Sequence, residues 1–343
     1  MDKRKERAIR RRVSALLFLG IALAAVLVAV PARAEVKEVR LAKQYGLGYL
    51  PLIVMEEQRL IEKHAKAAGL GDIAVSWATL GGGSAANDAL LSGSVEYVSS
   101  GVAPLVVIWA KTGGAVKGVS ALDSTPLYLN TVNPAVKSIE DFTDRDKIAL
   151  PTVKISIQAI VLQMAAAKAF GRENYAKLDR LTVSMKHPDA MAALLSGRSE
   201  ITAHLTSPPF MFQELEDKRV RTVLNSNDVL GGPHTFNVLT TSKAFYDKNP
   251  KTYAAVFSAL EEAVSFIPKN KRAAAEIYLK SAGTKENVND ILAQSNHPLL
   301  GYTTTPLNVG KFAEFMYRTG TVKTKPGEWK ELFFPNVHGK QGS

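Results

Sequence analysis

Cysteine is absent from all 343 residues. No disulfide, thiolate zinc site, iron–sulfur cluster or cysteine nucleophile can form, and no lipid can be carried on a cysteine. Histidine is scarce as well: the six, at 64, 187, 204, 234, 297 and 338, are far apart, and no two stand at metal-ligand spacing. Neither G-x-S-x-G nor H-E-x-x-H occurs. Asp144, Arg145 and Asp146 read as a solvated turn, and Glu261 with Glu262 as the polar face of an amphipathic helix. An enzyme is not expected, and no metal or other cofactor is implied.

One stretch argues for a nucleotide at first sight. In GGGS at 81–84, Gly81, Gly83 and Ala86 match G-x-G-x-x-A after the strand-like residues 73–77. A dinucleotide site also needs a full-length helix and an acidic residue about 20 positions on. Here the helical run ends at Ser92 and Gly93, and the next strand has no acid at its far end. No Lys-Ser or Lys-Thr follows the glycines, which excludes a P-loop. What remains is a small-residue turn feeding a helix N-terminus.

With 46% hydrophobic and 22% charged residues, the chain has the composition of a globular protein long enough for two domains. Its first 34 residues read as a secretory signal: a basic start, an apolar run over 15–30, and Ala32-Arg33-Ala34 as a cleavage site, with the cut after Ala34. The rival is an uncleaved anchor, because the apolar run is long for a signal. Arg11-Arg12 hints at the twin-arginine route, but Val13-Ser14 fits it poorly, which favours general secretion. The signal holds eight Lys/Arg and two acids, so a net charge of +11 falls to about +5 in the mature chain. That charge is mild and scattered, and no nucleic-acid partner is expected. No later membrane span is present, and the periplasm is the expected location.

Along the mature chain, strand patterns alternate with helical ones, which predicts a parallel-rich α/β sheet. Strands are expected at 36–42, 73–77, 95–98, 116–122, 147–151, 181–183, 220–224 and 236–240, and helices at 50–68, 84–91, 104–110 and 156–170. Residues 249–320 read as mostly helical and 321–343 as an irregular tail. One internal echo stands out: ALLSGSVE at 89–96 returns as ALLSGRSE at 193–200. In each copy a helix ends at glycine and a strand follows. Chance likeness of two common joints is one reading; two related lobes is the other. The second reading gives residues 35–123 as the first part of lobe 1, 124–227 as lobe 2, 228–320 as the second part of lobe 1, and 321–343 as the tail.

Small or polar turns stand at the predicted strand ends, where open α/β sheets gather ligands. They are Gln44-Tyr45-Gly46, residues 81–84, Ser99-Ser100-Gly101, Asp123-Ser124-Thr125, Thr152-Val153-Lys154 and Thr206-Ser207-Pro208. Several precede helices, whose free N–H groups and dipole favour an anionic group. Glycine at 83 would let a ligand approach the backbone closely, so Gly83→Val is expected to abolish binding with little loss of folding.

Several stretches resemble the periplasmic substrate-binding proteins of ABC importers for nitrate, taurine and aliphatic sulfonates. They are YGLGYLP at 45–51, the run 82–93, VSSGVAP at 98–104, residues 193–200, SPPF at 207–210 and ALEEA at 259–263. The resemblance implies a two-lobed α/β fold of the type II kind, with two crossing segments and a ligand cleft between the lobes. It implies hinge closure on a small, organic or inorganic solute and delivery by a monomer to an inner-membrane ABC permease. It places the ligand loops at Tyr45 and Gly46, Gly83 and Ser84, Ser100 and Gly101, Thr152 to Ser156, and Thr206 and Ser207. Lys154 departs from the small residues common there; it either pairs with an anionic group or points to solvent. Relatives on this fold bind thiamin-pyrimidine precursors. The enzyme that makes that pyrimidine needs a cysteine-rich motif, which this chain lacks. A binding protein serving a sensor stays open beside the importer.

Overall fold

The computed structural model describes residues 34–283 and 286–343; residues 1–33 of the expected signal lie outside them. The strand β1, Glu38–Lys43, takes an inner place in a sheet, and its Val39, Leu41 and Ala42 are buried. On one side it pairs in parallel with β2, Ala74–Thr79, and on the other with β3, Tyr97–Gly101. The order is completed by β4, Val116–Ala121, at the far edge, and by a strand from late in the chain, introduced below as β11.

Beyond β4 the chain crosses over. The short β5, Asp123–Ser124, leads to β6, Tyr128–Thr131, which opens the second sheet. There β7, Ile148–Leu150, β8, Thr182–Ser184, and β9, Ala203–Thr206, are parallel to one another. On the other side of β9, β6 runs antiparallel to it, and β10, Arg221–Asn225, runs antiparallel to β6. The chain then returns as β11, Asn237–Ser242, antiparallel to both β3 and β4. Finally β12, Gly301–Tyr302, pairs with β5.

The two sheets share one plan. The first reads β2-β1-β3-β11-β4 and the second, taken from its other end, β8-β7-β9-β6-β10. Each holds three parallel strands followed by an antiparallel strand that arrives from the other half. The repeated ALLSG segments occupy equivalent places: the helix Gly83–Leu91 leads into β3, and the helix His187–Ser196 into β9. The echo in the sequence therefore marks corresponding units of two lobes. The crossing segments lie side by side, joined by a bridge between Ser124 and Thr235 and by the Phe236 and Asn237 N–H groups, which donate to Asp123.

Helices cover the sheets. One core cluster packs Leu41, Val54, Ile61 and Tyr97 against Val256, Leu260 and Ala263 of the long helix Pro250–Lys269. A second runs through both halves, from Val98 and Leu105 to Ile160, Leu162 and Leu205. The irregular tail is anchored: Leu332, Phe333, Phe334 and Val337 are buried, and Phe333 lies against Gly118 of β4. No helix among the described residues is long and apolar enough to cross a membrane.

Candidate functional site

All six parallel strands end toward the seam between the sheets, so the turns that follow them face one another. An inner cavity of about 20 Å³ lies there, enough for roughly one water-sized group. Gln44, Tyr45 and Tyr49 line it from beyond β1, Gly81 and Gly83 from beyond β2, and Gly101 from the end of β3. Pro151, Ser156, Ile157 and Gln158 line it from beyond β7, and His187 from beyond β8; Pro104 and Phe236 complete it.

Four helices present their N-terminal ends to this cavity. They are Gly83–Leu91, Val102–Lys111 beginning after Gly101, Ile157–Phe170 beginning after Ser156, and His187–Ser196. Only the third is capped by its own side chain, Ser156 Oγ accepting the Ala159 N–H at 3.2 Å. Each helix end carries roughly half a positive charge. Among the described residues no lysine or arginine lines the cavity, so its positive potential comes from backbone.

Glycine is what lets the halves meet. A Cβ on Gly82 would stand 2.5 Å from Thr152 Oγ1 and 2.9 Å from the Pro151 carbonyl. One on Gly101 would stand 2.7 Å from Ile157, and one on Gly46 2.8 Å from the Pro208 carbonyl. Beside the last contact, the Leu47 N–H donates to Pro208 O at 2.8 Å. A second chamber of about 370 Å³ adjoins the cavity through Gln44 and Tyr45. Ile53, Thr79 and Tyr278 face Pro188, Met191, Pro209 and Phe210 across it. Its buried cation, Lys43, is already paired with Glu56 and lies 5.4 Å from the Trp77 ring.

Of the residues singled out in the sequence, Gln44, Tyr45, Gly83, Gly101 and Ser156 stand together on the inner cavity. Gly46 lines the adjoining chamber, and Thr152 faces Gly82 across the seam. Ser84 lies in a separate hollow with Asn87 and Ile155. Ser100 is buried within β3, opposite Val238. Thr206 and Ser207 are buried near the Gly46 contact, and Ser207 Oγ finds no hydrogen-bond partner among the described residues. Lys154 is exposed, with a left-handed φ of 65°. Gly83 has a neighbour that alters its expected role: a Cβ there would stand 2.3 Å from Pro104 Cγ in the same half. The glycine is needed for packing, and Gly83→Val would damage the fold.

Asp123 and Ser124 sit in the crossing instead. Asp123 is fully buried; its Oδ1 accepts the Asn237 N–H at 2.9 Å, and its Oδ2 has no partner among the described residues. Burial pushes its carboxyl up to about 7, against hydrogen bonds from Thr125 and Asn237 that pull it down. The nearby phenols of Tyr49 and Tyr302 are pushed up too, by burial first and by Asp123 second.

Gln158 and His187 were not singled out for the site from the sequence. The repeat held a signal for the second: the offset that maps Ala89 onto Ala193 maps Gly83 onto His187, so both open equivalent helices.

The same fold is found in the alkanesulfonate-binding protein SsuA from Xanthomonas axonopodis pv. citri bound to MOPS, with a TM-score of 0.66 at 18% identity over 84% of this chain and 95% of that one. The periplasmic nitrate-binding protein NrtA from Synechocystis PCC 6803 gives 0.66 at 16% identity, over 87% of this chain and 84% of that one. The periplasmic aliphatic sulphonate binding protein SsuA from Escherichia coli gives 0.64 at 18% identity, over 88% and 92%. At such identities the likeness is one of fold, the two-lobed fold of the periplasmic binding proteins. No curated protein matches by sequence. Residues 32–279, well over half of the chain, match the NMT1-like family, and the protein belongs to that family.

Proposed function

We propose that the protein is the solute-binding component of an ABC importer, which captures a small anionic solute in the cleft and delivers it to an inner-membrane permease. The observation that carries this is the convergence of four helix N-termini on one cavity. Backbone N–H groups and helix dipoles bind anions without a cationic side chain. The inner cavity has room for the tip of an anionic head group, and the adjoining chamber for an organic body. Sulfonate- and nitrate-binding proteins of the same fold agree with an anion. In this reading residues 35–123 and 228–320 form one lobe and 124–227 the other. Contacts from both lobes to the solute favour the shut form. A signal cut after Ala34 would release the protein, as a monomer, into the periplasm.

Thermal unfolding against sulfonates, nitrate, bicarbonate, aromatic acids, amino acids and thiamin precursors tests this. A solute at 100 times its Kd adds about 2.7 kcal/mol. At least one anion is expected to raise Tm clearly. No shift with any anion, from protein that native mass spectrometry finds empty, would contradict the reading.

A further inference from the structure

His187 enters the cleft as the end of a chain of buried polar side chains. Its Nε2 lies 3.2 Å from Gln158 Nε2, and both residues line the inner cavity. Behind it, His187 Nδ1 is 2.8 Å from His204 Nε2, and His204 Nδ1 is 2.5 Å from Glu214 Oε1. Glu214 Oε2 accepts from Asn130 Nδ2 at 2.9 Å, and Asn130 Oδ1 accepts from Thr222 Oγ1 at 2.7 Å. His204 and Glu214 have no exposure at all, and His187 is 6% exposed. Four elements meet to build this: β9 brings His204, and the helices Phe210–Leu215, His187–Ser196 and Ile157–Phe170 bring Glu214, His187 and Gln158.

Each of the four ring nitrogens has one partner, so one choice sets the rest. With Glu214 ionised and both rings neutral, Glu214 takes the Nδ1–H of His204. His204 Nε2 then takes the Nδ1–H of His187, and His187 Nε2 turns a lone pair toward the Gln158 amide and the cavity. One added proton reverses the outer half. His204 becomes an imidazolium beside Glu214, its Nε2–H donates to His187 Nδ1, and His187 carries its own hydrogen on Nε2, where the Gln158 N–H₂, itself a donor, must turn away to leave that hydrogen to the cavity. Burial, with His204 adding to it, holds His187 itself well below the ordinary histidine range. His187 therefore does not hold the charge itself and responds by changing tautomer.

The remaining surroundings hold little charge. Phe210 stacks on the His187 ring at 5.6 Å. The flanking Lys186 and Asp189 pair with each other at 3.4 Å on the surface. An anion entering the cavity would thus add a second negative charge near buried Glu214, and one solvent proton relieves it.

We propose that Glu214, His204 and His187 form a proton relay, so that binding of an anionic solute takes up one proton and turns His187 into a hydrogen-bond donor to that solute. This rests on the anion-capture reading above. It makes the protein select an oxyanion over a neutral or cationic solute of the same shape. It also makes affinity fall as pH rises, by up to tenfold per pH unit where the free relay is unloaded and the bound one loaded.

The test is calorimetric titration with nitrate and with ethanesulfonate, between about pH 6 and about pH 8 where histidine chains respond. Two sulfonate-free buffers of different ionisation enthalpy report the proton count. Wild type is expected to take up close to one proton per anion where binding weakens most steeply, and to bind up to about a hundredfold more weakly at the upper pH. In Glu214→Gln the amide accepts from Asn130 and donates to His204 Nδ1, which locks His187 in the donor form. That variant is expected to keep binding while losing both proton uptake and pH dependence. Imidazole nitrogen spectra should show His187 with hydrogen on Nδ1 in the free wild type and on Nε2 in the variant. Binding without proton uptake, or uptake that persists in Glu214→Gln, would overturn the relay and leave anion capture standing. Failure of both anions to bind a protein whose imidazole spectra show it folded would overturn the two together.

Discussion

Gly82→Val is expected to weaken solute binding roughly tenfold to a hundredfold while leaving the unliganded protein folded. The backbone at Gly82 is extended, with φ −179° and ψ 172°, which any residue adopts. What a side chain would meet there is the other half of the molecule, the Pro151 carbonyl and Thr152 Oγ1. Overpacking of this kind costs about 1–3 kcal/mol, and about 1.4 kcal/mol is a factor of ten in affinity. Opening the cleft relieves the clash, so the cost falls on the shut form that holds the solute. Gly83→Val is the contrast, because its clash with Pro104 lies within one half and opening relieves nothing. Titration of both variants beside their unfolding without solute separates the two. Wild-type affinity in Gly82→Val, or a loss of Tm as large as that of Gly83→Val, would refute closure through this contact.

Asp123→Asn is expected to gain on wild type by roughly 3 kcal/mol in stability between pH 5 and pH 8. Asp123 is fully buried where the two crossings meet, and its carboxyl is pushed up to about 7 chiefly by desolvation. A carboxyl raised in the folded state binds its proton more tightly there than in the unfolded chain. Wild-type stability from this group is therefore greatest below the ordinary carboxylate range, declines as pH rises toward 7, and is level beyond it. The amide keeps the shape and can still accept the Asn237 N–H. Its own N–H₂ can serve Asn237 Oδ1, which has no partner among the described residues. Denaturant unfolding across pH measures this. Parallel profiles for the two proteins would show that Asp123 does not titrate in the crossing.

The strands whose apolar residues alternate or cluster, β1, β4, β7 and β11, were legible because burial imposes that pattern. The repeated ALLSG joint went further and exposed the common plan of the two sheets. β6 was not legible: Asn130 is fully buried in it, satisfied by Met211, Glu214 and Thr222, which lie far along the chain. The expected single helix over 50–68 is two, broken at Arg59 in the left-handed region. No glycine or proline marks that break. The strand-end rule placed Gln44, Tyr45, Gly83 and Gly101 on one cavity, since the ends of parallel strands converge wherever two such sheets face. It could not show that Asp123 lies beneath the seam, that Ser84 faces another hollow, or that His187 reaches the cavity, because each depends on how the halves are set against each other.

In the proposed capture, backbone amides at the cleft recognise negative charge. Titration of the purified protein with ethanesulfonate and nitrate, beside the neutral ethyl methyl sulfone, tests it most directly. One anion is expected to bind per chain, with the sulfone about a hundredfold weaker than the sulfonate, as the loss of charge-assisted hydrogen bonds requires. A sulfone bound as tightly as the sulfonate, or no anion bound at all, would contradict it.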